Sequence, residues 1–76
     1  MLFEIGSKPY LAREIIDQAT GDHPAFLLGQ KGEQVEVIEY DEDRLYPYVV
    51  EGPTNAGKKW LAKSSDLMFN RPMKQG

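Results

Sequence analysis

The spacing of apolar residues changes once along this chain, from a helical period to the alternation of strands. After a short apolar start (Leu2, Phe3, Ile5), residues 7–20 place Leu11, Ala12, Ile15, Ile16 and Ala19 on one side at helical spacing, with Arg13, Glu14, Asp17 and Gln18 on the other. Ser7 stands at an N-cap position, Pro9 falls in the first turn where its missing N–H costs little, and Gly21 follows as a left-handed terminator. This pattern predicts an amphipathic helix. A helix of about 13 residues is marginal alone in water, so its apolar face must dock, either on the rest of the chain or in a partner's groove.

Beyond the helix the signals are those of strands and turns. Residues 25–28 form an apolar run bounded by Pro24 and Gly29. Residues 34–40 alternate, with Val35 and Val37 on one face and Ile38 and Tyr40 on the other, as in a curved sheet that meets apolar material on both sides. A charged turn at 41–44 leads into a strand at 46–51, whose Pro47 places its start at an edge or a bulge. Residues 52–57 are a turn by composition, 58–62 a strand around Trp60, 64–66 a short helical turn and 67–69 a last strand. Five short strands favour a small barrel, because closure removes exposed edges. The expected fold is therefore mainly β (α+β), one domain, in which residues 1–21 are an N-terminal strand and helix segment. Residues 22–70 form a five-stranded barrel and 71–76 a flexible tail.

The stretch that supplies the strands resembles a Src-homology-3-like barrel of the kind encoded by bacteriophages and bacteria. The resemblance covers roughly residues 25–70 and rests on Gly32, Val35 and Val37, then Tyr46, Pro47, Tyr48 and Val50, then Trp60, Ser65, Asp66 and Leu67. The "ALYDY" strand and paired tryptophans of the eukaryotic signalling domains are missing. The resemblance implies a small barrel that binds another protein, such as a phage-encoded accessory protein or a modulator of a host protein.

Composition narrows the picture in three ways. A chain of 76 residues hides only about 60% of the surface its unfolded form exposes, and it has no cysteine with which to reinforce a small core. Packing must then come from the aromatic residues Phe3, Tyr10, Phe26, Tyr40, Tyr46, Tyr48, Trp60 and Phe69. No apolar run approaches the about 20 residues that span a bilayer, and Glu4 falls too early for a signal peptide. The expected compartment is the cytoplasm, a host's if the protein is viral. The net charge of −3 is unevenly spread: −2 over residues 1–34, −5 over 35–57 and +4 over 58–76. Such a dipole orients a partner during encounter.

Reactive constellations are weak. GPTNAGKK, residues 52–59, satisfies a phosphate-binding loop until its last place, where Lys59 replaces the hydroxyl residue that would hold Mg²⁺. A looser version would have its turn amides and Lys58 hold an anion. Glu39, Asp41, Glu42 and Asp43 are acidic, but neighbouring turn carboxylates point outward and lack the mid-loop glycine of a calcium site. His23 is the only histidine, and Ser64 and Ser65 have no evident activating base. No catalytic residue, metal site or cofactor is expected. Tyr40, Asp41, Glu42, Asp43, Tyr46, Tyr48 and Trp60 are the expected contacts to a protein partner. The alternative is a nucleic-acid-binding barrel that uses Trp60 with Lys58, Lys59, Lys63, Arg71 and Lys74.

Overall fold

The N-terminal segment is extended, and the rest of the fold is laid against it. In the structure, a computed structural model that describes residues 2–71, seven short strands follow one another. They are β1 (Tyr10–Leu11), β2 (Ile15–Asp17), β3 (Phe26–Gly29), β4 (Glu36–Tyr40), β5 (Tyr48–Glu51), β6 (Trp60–Ala62) and β7 (Leu67–Met68). All pairings are antiparallel: β1 with β7, β2 with β3, and β4–β5–β6 as a three-stranded meander. Two three-residue 3-10 turns, Pro53–Asn55 and Ser64–Asp66, lie on either side of β6. Among the described residues no helix is long and apolar enough to cross a membrane.

The expected helix over residues 7–20 is not formed. Its backbone is committed elsewhere: Val37 N–H donates to Ser7 O (2.9 Å), Val35 N–H to Pro9 O (2.9 Å) and Gly32 N–H to Leu11 O (2.8 Å). In return Leu11 N–H donates to Glu33 O and Ala12 N–H to Asp66 O, each at 2.8 Å. A helix would turn these groups inward and leave the amides of buried Val35 and Val37 without partners, which a marginal helix cannot offset. Leu11 and Ile15, four apart, are both buried, but they are buried on two different strands. Ile16 is 44% exposed and Ala19 is exposed, so the helical stripe does not exist in space. Ser7 caps no helix; its N–H and hydroxyl donate to Glu4 O in the turn around Gly6. Left-handed backbone occurs at Gly6, Gly32 and Gly57, not at Gly21.

Nor do the strands close into a five-stranded barrel. They lie in three separate sheets, and β2 and β6 do not pair. Strands of two to five residues, with register shifts between Ile15 and Ile16 and between Val37 and Glu39, cannot sustain one continuous ladder. The strand positions beyond residue 25 nonetheless fall within about two residues of the expected ones. The expected tail begins at the exposed Arg71; residues 72–76, Lys74 among them, lie outside the described residues.

One core joins the sheets: Phe3, Leu11, Ile15, Leu28, Val35, Val37, Tyr48, Val50, Trp60, Ala62 and Leu67. Tyr48 buries its ring against the edge of Phe3, and its hydroxyl oxygen accepts from the N–H groups of Leu2 (3.0 Å) and Phe3 (3.2 Å). Gly29 is confined for a packing reason, since a Cβ there would collide with the Leu11 side chain and press on Trp60 Cζ2 at 3.3 Å.

Asp66 is the only charged or polar residue in this interior among the described residues, 1% exposed. Its Oδ2 accepts from Lys63 N–H (3.1 Å) and its carbonyl from Ala12 N–H. Its Oδ1 has no aligned hydrogen bond and is met instead by Arg13 Nη2 at 2.7 Å. The carboxylate thus ties the turn before β7 to the segment between β1 and β2. Asp66→Ala removes the acceptor and leaves the Lys63 amide and Arg13 unmatched, and is expected to lower the unfolding free energy by about 2–4 kcal/mol. Arg13→Ala is expected to cost a comparable amount, about 2–4 kcal/mol, because it leaves the buried Asp66 Oδ1 without its counter-charge. Urea unfolding followed by Trp60 fluorescence checks both, and a loss well below about 1 kcal/mol for either would contradict this account of Asp66. Gly29→Ala is expected to cost about 1–3 kcal/mol in the same assay through overpacking.

Candidate functional site

The expected partner-binding residues divide between the interior and two surfaces. Tyr48 and Trp60 are core residues, 2% and 5% exposed. Tyr40 is half-buried, its ring 5.0 Å from that of Tyr48. Asp41 organises its own loop: it is 3.3 Å from Arg44 Nε, accepts from Asp43 N–H (3.1 Å), and donates its N–H to Pro47 O (2.8 Å). Only Glu42 and Asp43 project from that loop as fully exposed acids. Tyr46, 37% exposed, leaves the loop on another side, with Lys63 Nζ 5.4 Å from its ring centre.

The basic residues are similarly dispersed. Lys58 lies over Phe26 at 5.5 Å, Lys63 over Tyr46, and Arg71 over Tyr10 at 5.6 Å. Each cation is held by the face of a different ring.

The GPTNAGKK loop holds anions already, and they are the protein's own. Pro53–Asn55 is a 3-10 turn followed by β6, not by a long helix. The Glu33 carboxylate accepts from Thr54 N–H (3.1 Å), from the Thr54 hydroxyl and from Gln30 N–H (3.1 Å). Glu51 accepts from Gly57 N–H at 3.3 Å. Gly52 is required by this arrangement, since a Cβ would fall 2.7 Å from Glu33 Oε2 and 2.8 Å from a Val35 methyl. His23 stays in the β2–β3 connection, its Nδ1 2.7 Å from Pro24 O and its ring edge-on to Phe26.

What the fold brings together instead is a groove of about 530 Å³ between the β2–β3 hairpin and β6. Ile15, Ile16, Asp17, Gln18, Thr20 and Leu28 line one side; Tyr46 and residues 58–61 line the other. Ile16 and Leu61 are the central residues of three-residue strands, and they are 44% and 48% exposed. Trp60 forms part of the wall, and its buried indole N–H has no acceptor among the described residues. A second, smaller cleft of about 370 Å³ lies beside Leu2, Phe3 and Phe69. The alternation in KWLA, with Trp60 and Ala62 inward, signalled that Leu61 faces out; nothing comparable marked Ile16, which shares the helical stripe.

Comparison with protein-family models, curated proteins and solved structures finds no match to this chain. Most of the residues that carry the barrel resemblance are core or turn residues here, while Tyr46 and Ser65 are exposed. Val35, Val37, Tyr48, Val50, Trp60, Asp66 and Leu67 are the buried ones, and Gly32 is left-handed at φ 84°.

The Glu33 network makes a prediction. Glu33→Ala is expected to lower stability by about 1–3 kcal/mol in urea unfolding, since it deprives two amides and a hydroxyl of a charged acceptor. Calorimetry with nucleotide and Mg²⁺ is expected to show no heat of binding to the native chain. A micromolar nucleotide affinity would contradict the assignment of this loop.

Proposed function

We propose that this chain is a non-enzymatic module that binds another protein, and that the groove between the β2–β3 hairpin and β6 is its binding surface. The observation that carries this reading is the clustering of Ile16, Tyr46 and Leu61, three of the exposed large apolar residues, in one open groove. Apolar surface gathered at one place and rimmed by charge is the composition of a protein-binding patch, whereas isolated exposed leucines need no explanation. The wall is rigid, since Ile15, Leu28 and Trp60 are core residues that also face the groove. A partner meets a preformed site and loses little entropy in ordering it.

The nucleic-acid reading is weaker on this geometry. Lys58 and Lys59 flank the groove, but Trp60 is 5% exposed and offers no face on which a base could stack. Arg71 lies over Tyr10, which does not line the groove, so the basic residues do not form one track.

Ile16→Glu and Leu61→Glu change solvent-facing side chains, so each is expected to keep the urea midpoint of the parent while losing the protein captured from the producing cells. Capture that survives both substitutions would refute the assignment of the groove. Binding to single-stranded DNA that falls steeply with added salt would favour the second reading.

A further inference from the structure

The geometry points to a particular mode of binding in this groove: an extended, acidic segment of a partner protein adds as a strand between β2 and β6. This rests on the groove being the protein-binding surface and specifies what enters it.

Both strands that border the groove have one sheet neighbour only, β2 having β3 and β6 having β5. Their second edges carry no backbone partner among the described residues. The contrast with β4 is direct, because its outer edge is covered at Val37 by the chain's own Gly6 and Ser7, with Pro9 bonding Val35 just before it. An extended segment placed between β2 and β6 would offer N–H and C=O groups to two edges at once. Its alternate side chains would meet Ile16 and Leu61, the mid-strand residues that are exposed. A helix would leave both edges unpaired.

Charge selects the strand. The residues lining the groove include two lysines, Lys58 and Lys59, against one acid, Asp17, in a protein whose net charge is −3. Lys58 reaches across to Phe26 of the hairpin, and Lys63 sits over Tyr46 on the groove wall. An acidic segment meets complementary charge along the β6 rim. A second copy of this chain does not: antiparallel pairing of β6 with its counterpart would bring Lys58 and Lys59 toward the other copy's Lys63. Lysine beside an open edge is a common guard against such self-pairing, and here it also favours an acidic guest.

A random displayed peptide library selected on the whole chain tests this. The expected winners alternate apolar residues with Asp or Glu, shift the amide resonances of β2 and β6, and quench or shift Trp60 fluorescence. N-methylation of an edge-facing amide in a selected peptide is expected to weaken binding about tenfold, the cost of one lost hydrogen bond. The double substitution Lys58→Glu with Lys59→Glu is expected to weaken it about tenfold as well, and Lys59→Glu alone, which leaves the Lys58 contact to Phe26 in place, is expected to weaken it with an unchanged urea midpoint. Basic or proline-rich winners, winners that map elsewhere, or none at all would overturn the proposal. So would self-association of the chain through the groove, abolished by Leu61→Glu. Winners that occupy the groove but tolerate every N-methylation would overturn strand addition while leaving the groove a protein-binding surface; that surface itself falls only if Ile16→Glu and Leu61→Glu spare partner capture.

Discussion

The buried amides of Val35 and Val37, and the half-buried one of Gly32 before them, must find acceptors, and the chain supplies them from its own beginning. Leu11, Pro9 and Ser7 lend their carbonyls in that order, so segment 7–11 runs extended beside segment 32–37. Tyr10 opposite Gln34 belongs to the same run. An unpaired buried amide costs more than a made hydrogen bond contributes, and this asymmetry decides the conformation of the first quarter of the molecule. Tyr48 extends the arrangement by holding the amides of Leu2 and Phe3 on its hydroxyl oxygen. Asp66 completes it from the other side, through Ala12 and Arg13.

The groove proposed as the binding surface follows from that placement. With Gly6 and Ser7 covering the outer edge of β4 at Val37 and β1 paired to β7, β2 is left to start a hairpin with β3 alone. The meander ends at β6, whose outer edge faces the hairpin across a groove rather than across a ladder. The three sheets share one core, yet they leave open a gap lined by exposed Ile16, Tyr46 and Leu61. A chain of this size has few ways to keep a rigid wall beside an open edge. Burying Trp60, Ile15 and Leu28 behind the groove is how this one does it.

The strands beyond residue 25 were legible because local signals agreed with the tertiary outcome there. Pro24, Gly29, the acidic turn at 41–44 and the GPTNAG turn delimit short segments, and alternation marks which side is buried. Residues 7–20 misled because Leu11 and Ile15 satisfy a helical period and are both buried, though by separate strands. Periodicity cannot register that the carbonyls of Ser7 and Pro9 are needed elsewhere. Trp60 and Tyr48 drew attention as aromatic anchors, and packing claimed both. Leu61 was readable from its alternation with Trp60 and Ala62. Ile16 was not, since no strand was expected there; once residues 15–17 are extended it lies on the face opposite buried Ile15.

Native-state amide exchange, resolved residue by residue, tests the central claim most directly. If the opening segment is part of the folded ladder, the amides of Leu11, Ala12, Val35 and Val37 exchange only through global unfolding, with the same free energy as core amides in β5, and the Cα shifts of Tyr10–Leu11 and Ile15–Asp17 are those of strands. Fast exchange at Val35 and Val37, or helical Cα shifts across residues 9–17, would contradict it.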